Sequence, residues 1–240
     1  MACLSWRVGK DALLDRSSHD YSGCGVDEMK KYQIIYADPP WKYAFPGTRV
    51  KRADDYSTMT TDEICSIPIV NIADENCVLF VWGIWTAIED CLKVIRAWGF
   101  EYKTVGFVWV KTKSDHAKQY TFLPEESFDD FFGMGMWTRS NTEYLLIGTK
   151  GKPSPISHSV KQLVYAPMRK HSQKPNEVSE RIVELMGNLP RIELFARTND
   201  KIDQYETRGW DVWGNEVESD IDLGGYVDSA TRGREDRDLT

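Results

Sequence analysis

The sequence predicts an α/β fold in which helices cover both faces of a mostly parallel sheet. Short apolar runs, typical of buried strands, alternate along the chain with segments whose apolar residues recur at helical spacing. The chain has 240 residues, enough for one sizeable domain, and its 41% hydrophobic and 28% charged residues exclude a wholly disordered protein. No apolar run approaches the roughly 20 residues that span a bilayer, so we expect no membrane partner.

The individual elements follow from local patterns. The first predicted strand, residues 33–37, is a short apolar run that stops at two consecutive prolines. A short helix begins at Thr60, which is placed to form a capping box with Glu63. Longer helices are predicted over residues 86–98 and from Pro175 to Gly187, and further strands over residues 77–82, 103–111, 143–149, 162–166, 191–196 and 210–213.

Composition divides the chain into three segments. We expect a polar N-terminal arm over residues 1–31, one domain over residues 32–216 and an acidic, flexible tail over residues 217–240. The net charge is −7, and the segment from Glu216 onward contains eight acids against three arginines. Residues 112–141 are rich in Phe, Gly and Met and predict a functional loop.

A basic stretch stands out against this acidic background. Residues 144–176 contain no acid and six cations, which are Lys150, Lys152, Lys161, Arg169, Lys170 and Lys174. Such a stretch predicts a surface that faces phosphates, or alternatively a solvated loop.

The cysteines and histidines indicate neither disulfides nor a metal. Five cysteines without a CxxC pair, in a chain without a secretory signal, predict reduced thiols and a cytoplasmic protein. The histidines at positions 116, 158 and 171 have no matching cysteines or carboxylate pairs, so we expect no metal site.

The turn after the first strand carries the clearest chemistry. Methylation of an exocyclic adenine amine needs an acceptor for each N–H bond, because the amine acquires positive charge as the new bond forms. The Asp38 carboxylate and the Pro39 carbonyl can supply these acceptors, with Pro40 restricting the backbone. Trp41 or Tyr43 can hold a flipped base by stacking. The alternative interpretation is an ordinary Asp-Pro turn that ends a strand.

Several longer segments resemble one enzyme family. Besides Asp-Pro-Pro-Trp at 38–41, they are Tyr-Ser-Thr-Met at 56–59, Trp-Val-Lys at 109–111, Asn-Thr-Glu-Tyr-Leu-Leu-Ile-Gly at 141–148, His-Ser-Gln-Lys-Pro at 171–175 and two segments at 191–197 and 209–216. Together they resemble the adenine methyltransferase family typified by the catalytic subunit of eukaryotic mRNA N6-adenosine methyltransferase, the MT-A70 family. The resemblance implies S-adenosylmethionine as methyl donor and a Rossmann-like methyltransferase fold of permuted order, with the catalytic motif before the cofactor motif.

The resemblance also implies roles for single residues. Asp38, Pro39, Pro40 and Trp41 would orient the target adenine, and Lys174, beside a helix N-terminus, would pair with the methionine carboxylate of the cofactor. Residues matched to cofactor contacts are Tyr36, Ala37, Asp38, Lys174, Phe195, Arg197, Asn199, Asn215 and Glu216. The candidates for substrate contacts are Tyr43, Tyr56 and Lys111, together with Lys150, Lys152, Arg169 and Lys170 from the basic stretch.

Three questions about function stay open at this point. DNA is the favoured substrate, in a bacterial or phage-infected cell, and RNA adenosine is the alternative. A non-catalytic nucleic-acid-binding subunit is disfavoured because Asp38, Lys174 and Asn215 are all present. A cytosine-N4 methyltransferase is weaker still, since that group commonly has Ser at the position of Asp38. A homodimer, or a heterodimer with a related subunit, is compatible with the sequence.

Overall fold

Seven strands form one sheet in the computed structural model, which describes residues 29–42, 58–113, 137–168, 173–197 and 209–223. The strands are β1 Tyr32–Ala37, β2 Ala73–Gly83, β3 Glu101–Thr112, β4 Thr142–Lys150, β5 Leu163–Pro167, β6 Arg191–Leu194 and β7 Asp211–Trp213. The helices are α1 Thr61–Ser66, α2 Ile88–Ala97 and α3 Asn176–Met186. None of the helices in this part of the chain is long and apolar enough to cross a membrane.

The sheet has the strand order β5-β3-β4-β2-β1-β6-β7 and is mostly parallel, as predicted. Only β4 runs antiparallel to its neighbours β2 and β3. The carboxyl ends of the other six strands and the amino end of β4 therefore meet along one side of the sheet, which we call the carboxyl edge. In open α/β sheets this edge is where ligands bind.

Helices cover both faces of the sheet, which confirms the predicted layers. Helices α1 and α2 bury Ile64, Val94 and Ile95 against one face. Helix α3 buries Val178 and Ile182 against the other face. In α2 and α3 the buried apolar residues recur at a spacing of three or four, which places them on one side of each helix.

The ends of the elements have identifiable causes. The predicted capping box is confirmed: Glu63 N donates to Thr60 Oγ1 at 3.3 Å, and Thr60 N donates to Glu63 Oε2 at 2.7 Å. A 3₁₀ turn over Trp85–Ala87 precedes α2, so the α-helix begins two residues later than predicted. Strand β6 ends at Leu194, two residues earlier than predicted, because Phe195 adopts φ of +62°, which a strand cannot accommodate.

Residues 220–223, which we predicted to belong to a flexible tail, pack against the folded domain. Leu223 is 3% exposed in the core on the side of α1 and α2, and Ile221 packs against the same core. Asp220 accepts a hydrogen bond from Val212 N at 2.7 Å through its carboxylate. Acidic composition suggested a solvated segment, but two apolar side chains and one carboxylate fix it to β7. The predicted N-terminal arm and the loop at 112–141 fall largely outside the described residues.

Candidate active site

Four charged side chains of alternating sign form a row at the carboxyl edge. Lys174 Nζ lies 2.8 Å from Asp38 Oδ2 and 3.5 Å from Glu143 Oε2. Lys111 Nζ lies 2.7 Å from Glu143 Oε1. The side chains are between 15% and 26% exposed, so the row is partly sheltered from water yet open to a ligand.

Four different elements bring these charges together. Asp38 follows the last residue of β1, and Lys174 lies two residues before α3. Lys111 is the penultimate residue of β3. Glu143 reaches the same edge because β4 is reversed, so its amino end, rather than its carboxyl end, lies there. The single antiparallel strand thus supplies the carboxylate that links the two lysines.

Two buried tryptophans lie beneath the lysines. The ring centroid of Trp82 is 5.5 Å from Lys174 Nζ, and that of Trp109 is 5.1 Å from Lys111 Nζ. Trp82 Nε1 donates to the Tyr36 hydroxyl at 2.7 Å, and Trp109 Nε1 donates to the Ala166 carbonyl at 2.8 Å, which fixes both rings. Aromatic faces attract cations and exclude water, so they strengthen the electrostatic interactions above them.

The surroundings shift the pKa values of the row in different directions. Burial raises the pKa of the Asp38 carboxyl above its ordinary value, although Lys174 and Arg197 act in the opposite direction. Burial also acts upward on Glu143, but Lys174 and Lys111 outweigh it and hold the pKa of Glu143 below its ordinary value. For Lys174, burial acts downward, yet the two carboxylates raise its pKa overall. Asp38 is consequently the carboxyl in this row that takes up a proton most readily.

The backbone of the Asp-Pro-Pro-Trp turn is fixed by hydrogen bonds. The Pro39 carbonyl accepts from Trp41 N at 2.8 Å, and the Pro40 carbonyl accepts from Met59 N at 2.8 Å. Each carbonyl oxygen retains a second lone pair, so the predicted use of the Pro39 carbonyl as an acceptor stays compatible with the geometry. The turn is rigid before any ligand binds.

The Trp41 ring does not have the position that the stacking prediction requires. Trp41 is 6% exposed, lies in the core on the side of α1 and α2, and donates its Nε1 hydrogen to the Trp82 carbonyl at 3.1 Å. A ring so placed stabilises the turn but presents no open face to a base. The sequence places an aromatic residue after the prolines and does not reveal that the strand register buries it.

The ends of β6 and β7 hold the residues predicted to contact the cofactor. Arg197 Nε lies 3.7 Å from Glu216 Oε1, and the Phe195 ring packs edge-on against a tryptophan of β7 at 5.4 Å. Gly214 allows the two strand ends to approach closely, since a Cβ there would lie 2.4 Å from the Ala196 carbonyl oxygen. Asn215 follows as an exposed residue at the same edge.

These residues fit the chemical groups of S-adenosylmethionine. Lys174 and the first turn of α3, which has no side-chain cap, are suited to a carboxylate because both present positive charge and N–H donors. Asn215 and Glu216 can donate to and accept from ribose hydroxyls, and Phe195 offers an aromatic surface to a purine. The row and the ends of β6 and β7 lie at one edge, because Asp38 follows β1 and β1 pairs directly with β6.

The described cations of the basic stretch lie at both edges of the sheet. Lys150 ends β4 at the opposite edge of the sheet, where its Nζ donates to the Ala73 carbonyl at 3.0 Å, and Lys152 follows it. Both lysines lie away from Asp38, because β4 carries the chain to the other edge, and their contact with substrate stays a prediction. The other predicted site residues Tyr43, Tyr56, Asn199, Arg169 and Lys170 lie outside the described residues.

The described cysteines offer no nucleophile near the row. Burial raises the pKa of Cys77 and of Cys91 to about 12, so both stay protonated thiols at neutral pH. Among the described residues, no group of three or more His, Cys, Asp or Glu side chains could hold a metal ion. The described groups of the row and of the adjoining turn are carboxylates, lysines and backbone carbonyls.

Sequence reasoning missed Glu143 and Trp82. Both lie in segments interpreted only as strands, and the resemblance carried Glu143 within a longer motif without a role. One signal was present: a carboxylate at the start of an apolar strand is unusual, because an unpaired buried charge is costly. It indicates a cationic partner, which the structure identifies as Lys111 and Lys174.

Comparisons with known proteins identify a family and several relatives of this chain. The MT-A70 family matches residues 32–216, from β1 to the residues after β7. The type II methyltransferase M.MunI of a Mycoplasma species is 32% identical over 208 residues, which are 78% of each chain. The human N(6)-adenosine-methyltransferase catalytic subunit METTL3 is 27% identical over 86% of this chain and 33% of its own length. The Drosophila melanogaster N(6)-adenosine-methyltransferase MT-A70-like protein is 28% identical over 70% of this chain and 25% of its own. The chain belongs to the MT-A70 family.

Proposed function

We propose that this methyltransferase transfers the methyl group of S-adenosylmethionine to the N6 amine of an adenine in DNA. The observation that carries the proposal is Asp38, a partly exposed carboxylate fixed at the end of β1 and held by Lys174 at 2.8 Å. A rigid turn of prolines continues from it, with backbone carbonyls as further acceptors. This set of groups matches what an exocyclic amine needs when it acts as a nucleophile.

Asp38 has the central role in the proposed reaction. Its carboxylate accepts one N–H bond of the amine, which directs the nitrogen lone pair toward the methyl group. S-adenosylmethionine supplies an electrophilic methyl on a sulfonium. As the N–C bond forms and the S–C bond breaks, the nitrogen becomes positively charged, and Asp38 stabilises that charge. The amine proton then passes to Asp38 or to water, and the sulfur leaves as a neutral thioether.

Lys174 has two partners in the row, and this supports its proposed part. It binds both Asp38 and Glu143, so a carboxylate ligand that draws it away from Asp38 leaves it paired with Glu143. Asp38 would then be free to accept from the amine. Lys111 keeps Glu143 charged in both situations, because it lowers the pKa of that carboxyl.

The remaining site residues are assigned as proposals. We assign the cofactor to Tyr36 and Ala37 through their backbone, and to Lys174, Phe195, Arg197, Asn199, Asn215 and Glu216. Tyr43 and Tyr56 are proposed for substrate, together with Arg169 and Lys170 for phosphates. Residues 32–223 would form the catalytic domain of a cytoplasmic enzyme.

DNA is preferred to RNA on the pattern of similarity. This chain covers 78% of the type II methyltransferase but a third of the human N(6)-adenosine-methyltransferase subunit, and it is more identical to the former. The second candidate, methylation of RNA adenosine, is supported by the names of the eukaryotic relatives.

One experiment separates these candidates. The purified protein is incubated with labelled S-adenosylmethionine and matched single-stranded DNA, double-stranded DNA and RNA, and the products are digested and identified as nucleosides by mass spectrometry. We expect N6-methyldeoxyadenosine from DNA. N6-methyladenosine from RNA alone would favour the second candidate, and a label on cytosine would refute the assignment of the acceptor.

Two variants control for trace contamination and for misfolding. Asp38→Ala should yield no methylated nucleoside. Asp62→Ala should behave as the wild type, because Asp62 is 84% exposed and forms an ion pair with Lys93 on the surface. Absence of product from all polymers with the wild-type protein would favour the non-catalytic subunit.

A further inference from the structure

Trp85 is an exposed tryptophan at the carboxyl edge. Trp85 lies two residues beyond the end of β2 and is 44% exposed. Of the seven other tryptophans among the described residues, six, at positions 41, 82, 98, 109, 210 and 213, are at most 7% exposed, whereas Trp137, five residues before β4, is fully exposed. An exposed aromatic ring at the edge where open α/β sheets bind ligands is placed to contact a ligand.

The Trp85 ring is held in place although it is exposed. Its Nε1 donates to Thr142 Oγ1 at 2.9 Å, and its ring packs edge-on against Tyr144 with centroids 4.8 Å apart. Tyr144 in turn lies directly on the backbone of Gly83, where a Cβ would come within 2.5 Å of its hydroxyl oxygen. A fixed ring loses little conformational entropy when a ligand stacks on it, so the Trp85 ring is preorganised for binding.

The anchor of Trp85 connects directly to the charged row. Thr142, which accepts its hydrogen bond, immediately precedes Glu143, and Glu143 contacts Lys174 beside Asp38. Successive residues of a strand point to opposite faces, so the Trp85 ring and the row flank the amino end of β4 on its two sides. A strand of nucleic acid that places one base at Asp38 would pass this ring with a neighbouring base.

The surroundings of Trp85 favour an uncharged, flat ligand. Glu89 and Asp90 occupy the first turn of α2, directly after the 3₁₀ turn that contains Trp85, and they would repel a phosphate. Trp41, the ring expected from sequence to stack on a base, is buried and offers no open face. Ile88, three residues after Trp85 at the start of α2, is a second apolar side chain exposed there, at 36%.

We propose that Trp85 stacks on a nucleobase adjacent to the adenine that is methylated. This inference rests on the proposed function, since it requires a nucleic-acid substrate at Asp38. Base–aromatic stacking tolerates any base, so Trp85 would add affinity for the strand and position it rather than select a sequence. A protein segment on the same ring is the competing occupant, and the experiment below distinguishes the two.

The test compares two substitutions of Trp85, of which only one keeps an aromatic ring. Trp85→Phe and Trp85→Leu both lose the hydrogen bond to Thr142, but only phenylalanine keeps a ring for stacking. Tyr102→Leu is the matched control, because Tyr102 is 40% exposed near the amino end of β3, at the opposite edge of the sheet. KM and kcat are measured with an oligonucleotide that contains one adenine, and with versions that carry an abasic site on either side of it.

We expect Trp85→Leu to raise KM for the intact oligonucleotide about ten-fold, the usual effect of losing one stacked base, with Trp85→Phe within about three-fold of wild type. Affinity for S-adenosylmethionine and the behaviour of Tyr102→Leu should not change. An abasic site on one side should raise KM for the wild type by a similar factor and should have little further effect on Trp85→Leu.

Three outcomes would overturn the inference. The first is equal KM values for wild type and Trp85→Leu. The second is an abasic effect as large in Trp85→Leu as in the wild type. The third is loss of a dimer in Trp85→Leu by size-exclusion chromatography with unchanged KM, which would assign the ring to a protein interface. A wild-type protein that methylates no polymer refutes the proposed function itself, and the inference with it, whereas the other results leave that function intact.

Discussion

Lys174 determines the charge state of the row because it lies between two carboxylates. Without it, Asp38 and Glu143 would face each other in a partly buried setting, and two neighbouring carboxylates cannot both ionise cheaply. Breaking a sheltered ion pair from one side typically destabilises a protein more than the pair itself stabilises it, since the remaining charges lose their partner. If Lys174 is lost, Glu143 still has Lys111 as a partner. Lys111 therefore reduces the destabilisation caused by the charge of Glu143, but not that caused by the charge of Asp38.

Lys174→Met should therefore destabilise the protein in a pH-dependent manner. We expect a loss of about 2–3 kcal/mol in the free energy of unfolding at pH 8, below the range for fully buried pairs because the side chains are partly exposed. The loss should shrink as the pH falls toward 5, because the carboxyl pKa values rise without Lys174 and protonation then removes their charge. Urea denaturation at several pH values measures this.

The exposed pair between Lys93 and Asp62 provides the control. Lys93→Met should have no measurable effect at any of these pH values, because both side chains are more than half exposed and screened by water. A loss in Lys174→Met that stays constant with pH would contradict the electrostatic account and assign Lys174 a packing role.

The raised pKa of Asp38 predicts where the reaction rate falls at low pH, which is the acid limb of the pH–rate profile. Methyl transfer needs the charged carboxylate, so the rate should fall as the pH drops through a pKa above the usual value for Asp, about 4. Asp38→Asn should lower kcat by about 100-fold or more at neutral pH, where Asp38 is charged, and abolish the fall at low pH, because the amide is a weaker acceptor and does not titrate. The measurement is kcat/KM against pH. A limb that persists in the residual activity of Asp38→Asn would assign the titration to another group.

At the scale of elements, the close contact between β6 and β7 shapes the cofactor side of the edge. Gly214→Ala would push a methyl group against the backbone of Ala196, which cannot rotate away as a side chain could. The end of β7 must then move, together with the two residues that follow it. We expect about 1–3 kcal/mol of destabilisation and at least ten-fold weaker binding of S-adenosylmethionine, measured by urea denaturation and calorimetric titration.

Asn215→Ala distinguishes the contact between the Asn215 side chain and the cofactor from the effect of moving the end of β7. It removes an exposed side chain without moving the strand, so stability should not change while cofactor binding weakens by about 1–3 kcal/mol. If Gly214→Ala bound the cofactor as tightly as the wild type, the ends of β6 and β7 would lie outside the cofactor site.

The same elements show how far sequence reasoning reaches. Every predicted strand within the described residues formed, because buried strands need continuous apolar runs and these are visible in one dimension. Strand direction is not visible in that way, since an apolar run looks the same whichever way the strand runs. Hence the reversal of β4 was missed, along with the consequence that Glu143 joins the site while Lys150 leaves it. Asp38 and Lys174 were identifiable because their motifs end or begin elements at the carboxyl edge.

Across the whole molecule, the acidic excess is distributed differently from what a flexible tail would imply. Residues 216–223 contain four acids and no base, and they belong to the folded domain. Residues 224–240 contain four acids and three arginines, so they are nearly neutral. The negative charge near the site is therefore fixed beside β7, and it will repel phosphates from that side of the edge and direct a nucleic acid toward the side of β3 and β5.

Two truncations test where the domain ends. A chain that stops at Leu223 should unfold at the same urea concentration as the full chain, because it keeps every described contact. A chain that stops at Glu218 loses the buried Leu223 side chain, the packing of Ile221 and the hydrogen bond from Val212 N to Asp220. Burial of one leucine contributes about 2–5 kcal/mol and a sheltered hydrogen bond about 1 kcal/mol, so this chain should be at least 2 kcal/mol less stable. If the two truncated chains were equally stable, the packing of residues 219–223 would not contribute to folding. The C-terminal boundary of the domain would then lie at residue 216, as the sequence predicted.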